Sequence, residues 1–169
     1  QMETIKFSDN FKKVENNFIC YFVGGPSGKS GNEYLEELKK TVEDSNLESY
    51  IEFLDNLPQT EIRDLLNKSK LLIHTSKFET FGLVAAEANA MGVPVLTTNS
   101  GSVLEIVESN ENGYYSESLI DGNVNNFVKE LLNNNDKFEE IMLNCLDKSK
   151  AYSWDNTARE IEILYKDFA

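Results

Sequence analysis

Ser76-Lys77-Phe78-Glu79-Thr80-Phe81-Gly82-Leu83-Val84-Ala85-Ala86-Glu87-Ala88-Asn89-Ala90-Met91-Gly92-Val93-Pro94-Val95-Leu96 carries a helix and then runs into a strand. The apolar run Leu71-Leu72-Ile73-His74 just before it reads as a buried strand. A strand feeding a helix leaves the first helical N–H groups without partners. The helix dipole adds roughly half a positive charge there. Such an end holds phosphate without Lys or Arg, and Gly82 lets an anion approach the backbone. Glu79 stands at this end, and Glu87 follows about two turns on at ~3.6 residues per turn. Carboxylates accept hydrogen bonds from pairs of hydroxyls. A diphosphate between two polyols, a nucleotide sugar, fits that arrangement.

The pattern Glu79-x-Phe81-Gly82-Leu83-x-x-x-Glu87-Ala88, then Met91-Gly92-x-Pro94-Val95, resembles the Glu-x7-Glu signature of the family 4 retaining GT-B glycosyltransferases. Flanking pieces resemble that family's C-terminal domain: Phe22-Val23-Gly24-Gly25, Phe53-Leu54-Asp55-Asn56-Leu57-Pro58, Asn99-Ser100-Gly101-Ser102-x-x-Glu105-Ile106-Val107, Asn112-Gly113 and Tyr152-Ser153-Trp154. The likeness covers roughly residues 18–168.

The resemblance implies an α/β, Rossmann-like parallel sheet with helices on both faces, one half of a GT-B fold. It implies retaining transfer of a hexose from a UDP- or GDP-linked sugar to an acceptor hydroxyl, in glycan, polysaccharide or glycolipid synthesis. Glu79 is then the catalytic carboxylate on the transferred sugar, and Glu87 holds the ribose diol. Backbone N–H groups of Gly82, Leu83 and Val84 hold the diphosphate, Phe81 lines the donor site, and Leu57 lies against the base. No metal and no further cofactor is expected. The family's Gly-Arg and Lys-Gly cations do not precede Phe18, and its N-terminal acceptor-binding domain is missing. Truncation and a non-catalytic relative both explain this. Gln1-Met2 reads as an expression scar joined to an internal start, which favours truncation and an inactive fragment.

Composition is that of a soluble globular domain: 169 residues, 40% hydrophobic and 27% charged. Net charge is -13, which argues against nucleic acid and anionic membrane surfaces as partners. Cys20 and Cys145 fit no metal spacing and suit free thiols in a reducing compartment. No run approaches a membrane span. A cytoplasmic location follows, with the full-length enzyme free to sit at the cytoplasmic membrane face.

Residues 1–17 read as a polar lead-in helix or linker, 18–151 as the nucleotide-sugar-binding domain, and 152–169 as its closing helix. Strands are expected at 18–23, 49–54, 70–75, 93–97 and 113–116, with helices between and after them. Trp154 anchors the last helix, and Ser102-x-x-Glu105 is a capping box. Ser76-x-x-Glu79 is another, so Glu79 has a purely structural reading too. His74 reads as packing or a hydrogen-bonding filler at a strand end, and Lys77 as a surface charge. Gly24-Gly25-Pro26-Ser27-Gly28-Lys29-Ser30 imitates a phosphate loop, but three residues rather than four separate Gly24 from Gly28. A flexible turn before a helix is the simpler reading. A P-loop-like nucleotide site there is the alternative function, beside a non-catalytic relative of the fold.

Overall fold

The structure is a computed structural model and describes residues 1–76, 78–98 and 101–168. Lys77, Asn99 and Ser100 lie outside the described residues. Strands and helices alternate through the first two thirds: α1 (Met2–Phe11), β1 (Cys20–Val23), α2 (Gly28–Asp44), β2 (Ile51–Leu54), α3 (Gln59–Lys68), β3 (Leu72–His74), α4 (Leu83–Ala90), β4 (Val95–Thr98), α5 (Val103–Ile106) and β5 (Gly113–Ser116). Helices α6 (Gly122–Asn133), α7 (Asn135–Ser149) and α8 (Trp154–Asp167) follow.

Every strand pairing is parallel. β1 pairs with β2, and β4 stands between β3 and β5, with Leu72 opposite Val95 and Val95 opposite Gly113. The single sheet expected from the sequence is thus divided into a two-stranded and a three-stranded part. Among the described residues, β1 and β3 each pair along one edge only.

β4 shows why helices cover both faces. Successive side chains of a strand point to opposite sides. Val95 is fully buried with Leu66 of α3, Ala85 and Ala88 of α4 and Val103 of α5. Leu96 is fully buried on the other side with Phe7 and Phe11 of α1, Phe127 of α6 and Ile141 of α7. Each such side chain contributes roughly 1.5–3 kcal/mol on burial.

Helix α1 corrects the polar lead-in expected over residues 1–17. It stops at Phe11, and its Phe7 and Phe11 enter the β4 core, while Ile5 packs with Phe22, Leu38 and Ile51 beside β1 and β2. Its polar residues hid this face. Thr4 and Ser8 are buried, and Ser8 Oγ satisfies itself by donating to the Thr4 carbonyl at 2.9 Å.

α4 ends as the sequence requires. Gly92 adopts φ +72°, Val93 N–H reaches the Ala88 carbonyl and Gly92 N–H that of Asn89, which is the Schellman closure. α2 starts at Gly28, so Gly28-Lys29-Ser30-Gly31 is helical and not the expected flexible turn. The Ser102 capping box does not form: Ser102 is itself αR, and its hydroxyl donates to the Glu79 carbonyl at 3.4 Å. Trp154 is no anchor either. It is 88% exposed, and Tyr165 of the same helix and Phe168 just past its end are exposed as well. No described helix is long and apolar enough to cross a membrane.

Candidate active site around Glu79 and helix α4

Ligands of parallel sheets bind beyond the carboxyl ends of the strands. Three connections leave such ends toward the expected site residues: β2 into the Leu57 loop, β3 into the Glu79 loop, and β4 into the segment before α5. Gly82 is the residue on which the second connection turns. At φ +87° it occupies the left-handed region and caps α4. A Cβ there would lie 3.2 Å from Ile106 Cδ1 and 3.4 Å from Val103 Cγ2. The chain needs glycine at this point for both conformation and space.

Glu79 folds back over its own loop. Oε1 accepts from the N–H groups of Thr80 at 3.0 Å, Phe81 at 3.3 Å and Gly82 at 3.1 Å. Oε2 lies 3.2 Å from His74 Nε2. The Phe81 and Gly82 amides hold the carboxyl below its ordinary value, assisted by His74 and Thr80 and opposed by desolvation. The expected Ser76 capping box is absent, because Ser76 Oγ donates to the Phe78 carbonyl instead. One expectation changes here. Gly82 N–H, assigned to a diphosphate, is engaged by Glu79.

Leu83 and Val84 present the next two N–H groups of the helix. The first helical bonds go from Ala85 and Ala86 to the Gly82 carbonyl, and Leu83 N–H and Val84 N–H have no partner among the described residues. Both residues are exposed. An anion can reach them at the positive end of α4.

Glu87 is exposed, although alanines surround it in sequence. Its partner is a side chain: Gln59 Nε2 donates to Glu87 Oε1 at 3.3 Å. Gln59 opens α3, directly after Leu57 and Pro58, so this bond ties the Leu57 loop to α4. Leu57 itself is half-buried. Phe81 is about half exposed and meets Tyr152 edge to face at 6.3 Å between centroids. Tyr152 donates to the Glu105 carbonyl at 3.1 Å, and burial raises its hydroxyl.

His74 stands at the carboxyl end of a strand as expected, and what sequence reasoning missed is its pairing with Glu79. It stands at the end of β3, five positions before Glu79, and a strand end five residues from a carboxylate is the signal that could have found it. Nδ1 lies 3.4 Å from Thr97 Oγ1 on β4.

The glycine-rich loop after β1 borders the Leu57 loop, where Gly25 N–H donates to Asn56 Oδ1 at 2.8 Å. A cleft lined by Phe22, Gly24, Gly25, Pro26, Tyr34 and Phe53 includes neither glutamate. Lys29 is spread over the surface and pairs with Glu33 one turn on, at 3.8 Å. The thiols offer no nucleophile: burial pushes Cys20 up to about 11 and Cys145 up to about 12. Among the described residues, no three His, Cys, Asp or Glu side chains gather as metal ligands.

The family described as "Glycosyl transferases group 1" matches residues 3–144. The D-inositol 3-phosphate glycosyltransferase of Corynebacterium urealyticum is 31% identical over 152 residues, 88% of this chain and 34% of that protein. The chain therefore spans about a third of the curated relatives it matches. Among solved structures, Anabaena HepE in complex with UDP aligns with a TM-score of 0.80 and 23% identity, over 96% of this chain and 44% of that one. The same protein in complex with UDP-glucose aligns at 0.78, with 23% identity and the same two shares of chain. Likeness at this identity carries the α/β, parallel-sheet fold.

Proposed function

The chain belongs to the group 1 glycosyl transferases, and we propose that it is the donor-binding part of a retaining, family 4 hexosyltransferase. Its ligand is a UDP- or GDP-linked sugar. The observation that carries the reading is the pair of N–H groups at the exposed residues Leu83 and Val84, without a partner among the described residues, with Glu79 on one side and Glu87 on the other along the chain. The diphosphate takes those two N–H groups. Glu87, fixed by Gln59 beside the Leu57 loop, takes the ribose diol, and Leu57 meets the base. Phe81 borders the donor. Glu79 takes hydroxyls of the transferred hexose. Charge growing on the departing diphosphate is met by preorganised amides and the α4 dipole, the main catalytic device in this scheme. The scheme employs no metal.

We further propose that a longer chain supplies the acceptor-binding half and one more strand. Among the described residues, β1 and β3 are each unpaired along one edge. The Gln1 amine donates to Thr75 Oγ1 just past the end of β3, and Gln1 also borders the cleft at the end of β1. A strand running into α1 and lying between β1 and β3 would be parallel to both, and parallel neighbours need a helical crossover of the kind α1 provides. On this reading the isolated 169-residue chain binds nucleotide weakly and transfers no sugar.

Calorimetric titration with UDP and UDP-glucose tests the donor site. Binding that weakens about tenfold in Glu87→Ala and is unchanged in Lys29→Ala is the expected result. The opposite ranking of the two variants would move the nucleotide to the glycine-rich loop and sink the proposal.

A further inference from the structure

His74 touches the carboxylate that the donor-site reading places on the sugar, and the hydrogen bonds around its ring can be counted. Glu79, held below the ordinary carboxylate value, is ionised at neutral pH and can only accept. His74 Nε2, 3.2 Å from Oε2, must therefore carry the hydrogen of that contact. On the other side of the ring, Thr97 Oγ1 has one hydrogen and donates it to the Thr98 carbonyl at 3.0 Å. The Thr97 oxygen lies 3.4 Å from Nδ1 and holds that edge of the ring. His74 thus donates from Nε2 to Glu79 Oε2 and turns Nδ1 toward Thr97 Oγ1. Its side chain is only 11% exposed, and Thr97 is fully buried on the central strand of its sheet. The ring is clamped to rigid β-structure on one side and to the Glu79 loop on the other.

We propose that His74 is a positioning residue for Glu79, fixing Oε2 from the end of β3 while the loop amides hold Oε1. The proposal rests on the donor-site reading above. With three amides on one oxygen, Glu79 has its remaining acceptor capacity on Oε2, and His74 sets the direction in which that capacity meets a sugar hydroxyl. A charged hydrogen-bond partner of this kind typically counts for ~1.5–3 kcal/mol, about tenfold or more in an equilibrium.

The test measures affinities for UDP and UDP-glucose in the full-length protein, in wild type and in His74→Leu, His74→Gln and Thr97→Val. UDP has no hexose, so it does not report on Glu79. His74→Leu is expected to weaken UDP-glucose binding about tenfold and to leave UDP within about twofold. His74→Gln, whose amide can donate to Oε2, is expected to recover most of that loss. Thr97→Val, which keeps the shape and removes that oxygen, is expected to weaken UDP-glucose alone by about threefold. If His74→Leu does not fold, the other two variants decide. Equal losses for both ligands, an unchanged UDP-glucose affinity, or a glutamine variant no better than leucine would each overturn the positioning role. A wild type that binds UDP-glucose while His74→Leu matches it sinks this proposal alone. A wild type that binds neither these ligands nor GDP and GDP-linked hexoses overturns the donor site and the positioning role together.

Discussion

Asn112 donates from Nδ2 to Asn89 Oδ1, joining the loop before β5 to the last turn of the signature helix α4. Both side chains are buried, and each is satisfied further. Asn112 Nδ2 also donates to the Ile106 carbonyl at 2.7 Å, its Oδ1 accepts from Glu108 N–H at 2.8 Å, and Asn89 Nδ2 donates to the Ala85 carbonyl at 3.2 Å. Truncating Asn112 to Ala strands three polar groups in the core. Buried unsatisfied groups cost ~1–3 kcal/mol apiece, and local relaxation recovers part of that. A loss on the order of 3 kcal/mol in urea unfolding is expected for Asn112→Ala. A loss near zero would show that the pair is not a structural tie between α4 and β5.

Glu79 couples the loop to acidity. Its carboxyl lies below the ordinary value of 4.5 in the folded chain. A group depressed on folding stabilises the native state fully above its unfolded value and loses that contribution as pH falls through the folded value. The stability difference between wild type and Glu79→Gln should therefore be constant above about pH 5 and shrink as pH drops below 4.5. Urea midpoints across that range read it directly. A difference that grows on acidification contradicts the hydrogen bonds drawn to Thr80, Phe81 and Gly82.

How far these features were legible depends on their range along the chain. The strand–helix alternation, the Gly92 closure of α4 and the β5 strand are local patterns of period and turn chemistry, and they stand where the sequence indicated. Asn112-Gly113 could be recognised only through a resemblance, and its bond to Asn89 spans 23 positions. Glu79 shows the opposite limit. Its neighbours were identified, yet three N–H groups within three residues compete for one carboxylate, and periodicity says nothing about which acceptor wins. For α1, apolar Ile5, Phe7 and Phe11 are diluted by Thr4 and Ser8, which are buried as well. Trp154 misled for a simpler reason: an aromatic at a helix start suggests packing, while here its helix makes few contacts beyond its own lead-in.

Gly82→Ala probes the turn into α4 separately from its chemistry. An alanine at φ +87° costs roughly 1–2 kcal/mol in backbone strain. The added Cβ also crowds Ile106 Cδ1 and Val103 Cγ2, at 3.2 and 3.4 Å, and neither can retreat freely inside the core. A destabilisation of about 1–3 kcal/mol is expected. UDP affinity should fall with it, since the Leu83 and Val84 amides move with the start of the helix. Intact UDP binding in a destabilised variant would detach those amides from the phosphate.

Trp154 is the chain's single tryptophan, so its environment can be read without labels. At 88% exposed, it should emit as tryptophan does in water and be quenched by acrylamide in the folded chain nearly as well as in the unfolded one. The side chain starts α8, whose first turn is fixed instead by Ser153 Oγ accepting from Asn156 N–H at 3.2 Å. Removing the ring while keeping that cap should leave stability within about 0.5 kcal/mol in Trp154→Ala, as for other surface substitutions. Ser153→Ala removes the cap and should cost about 1 kcal/mol of local helix stability. A blue-shifted, shielded emission, together with a large loss in Trp154→Ala, would mean that α8 folds back against the domain rather than standing on its cap.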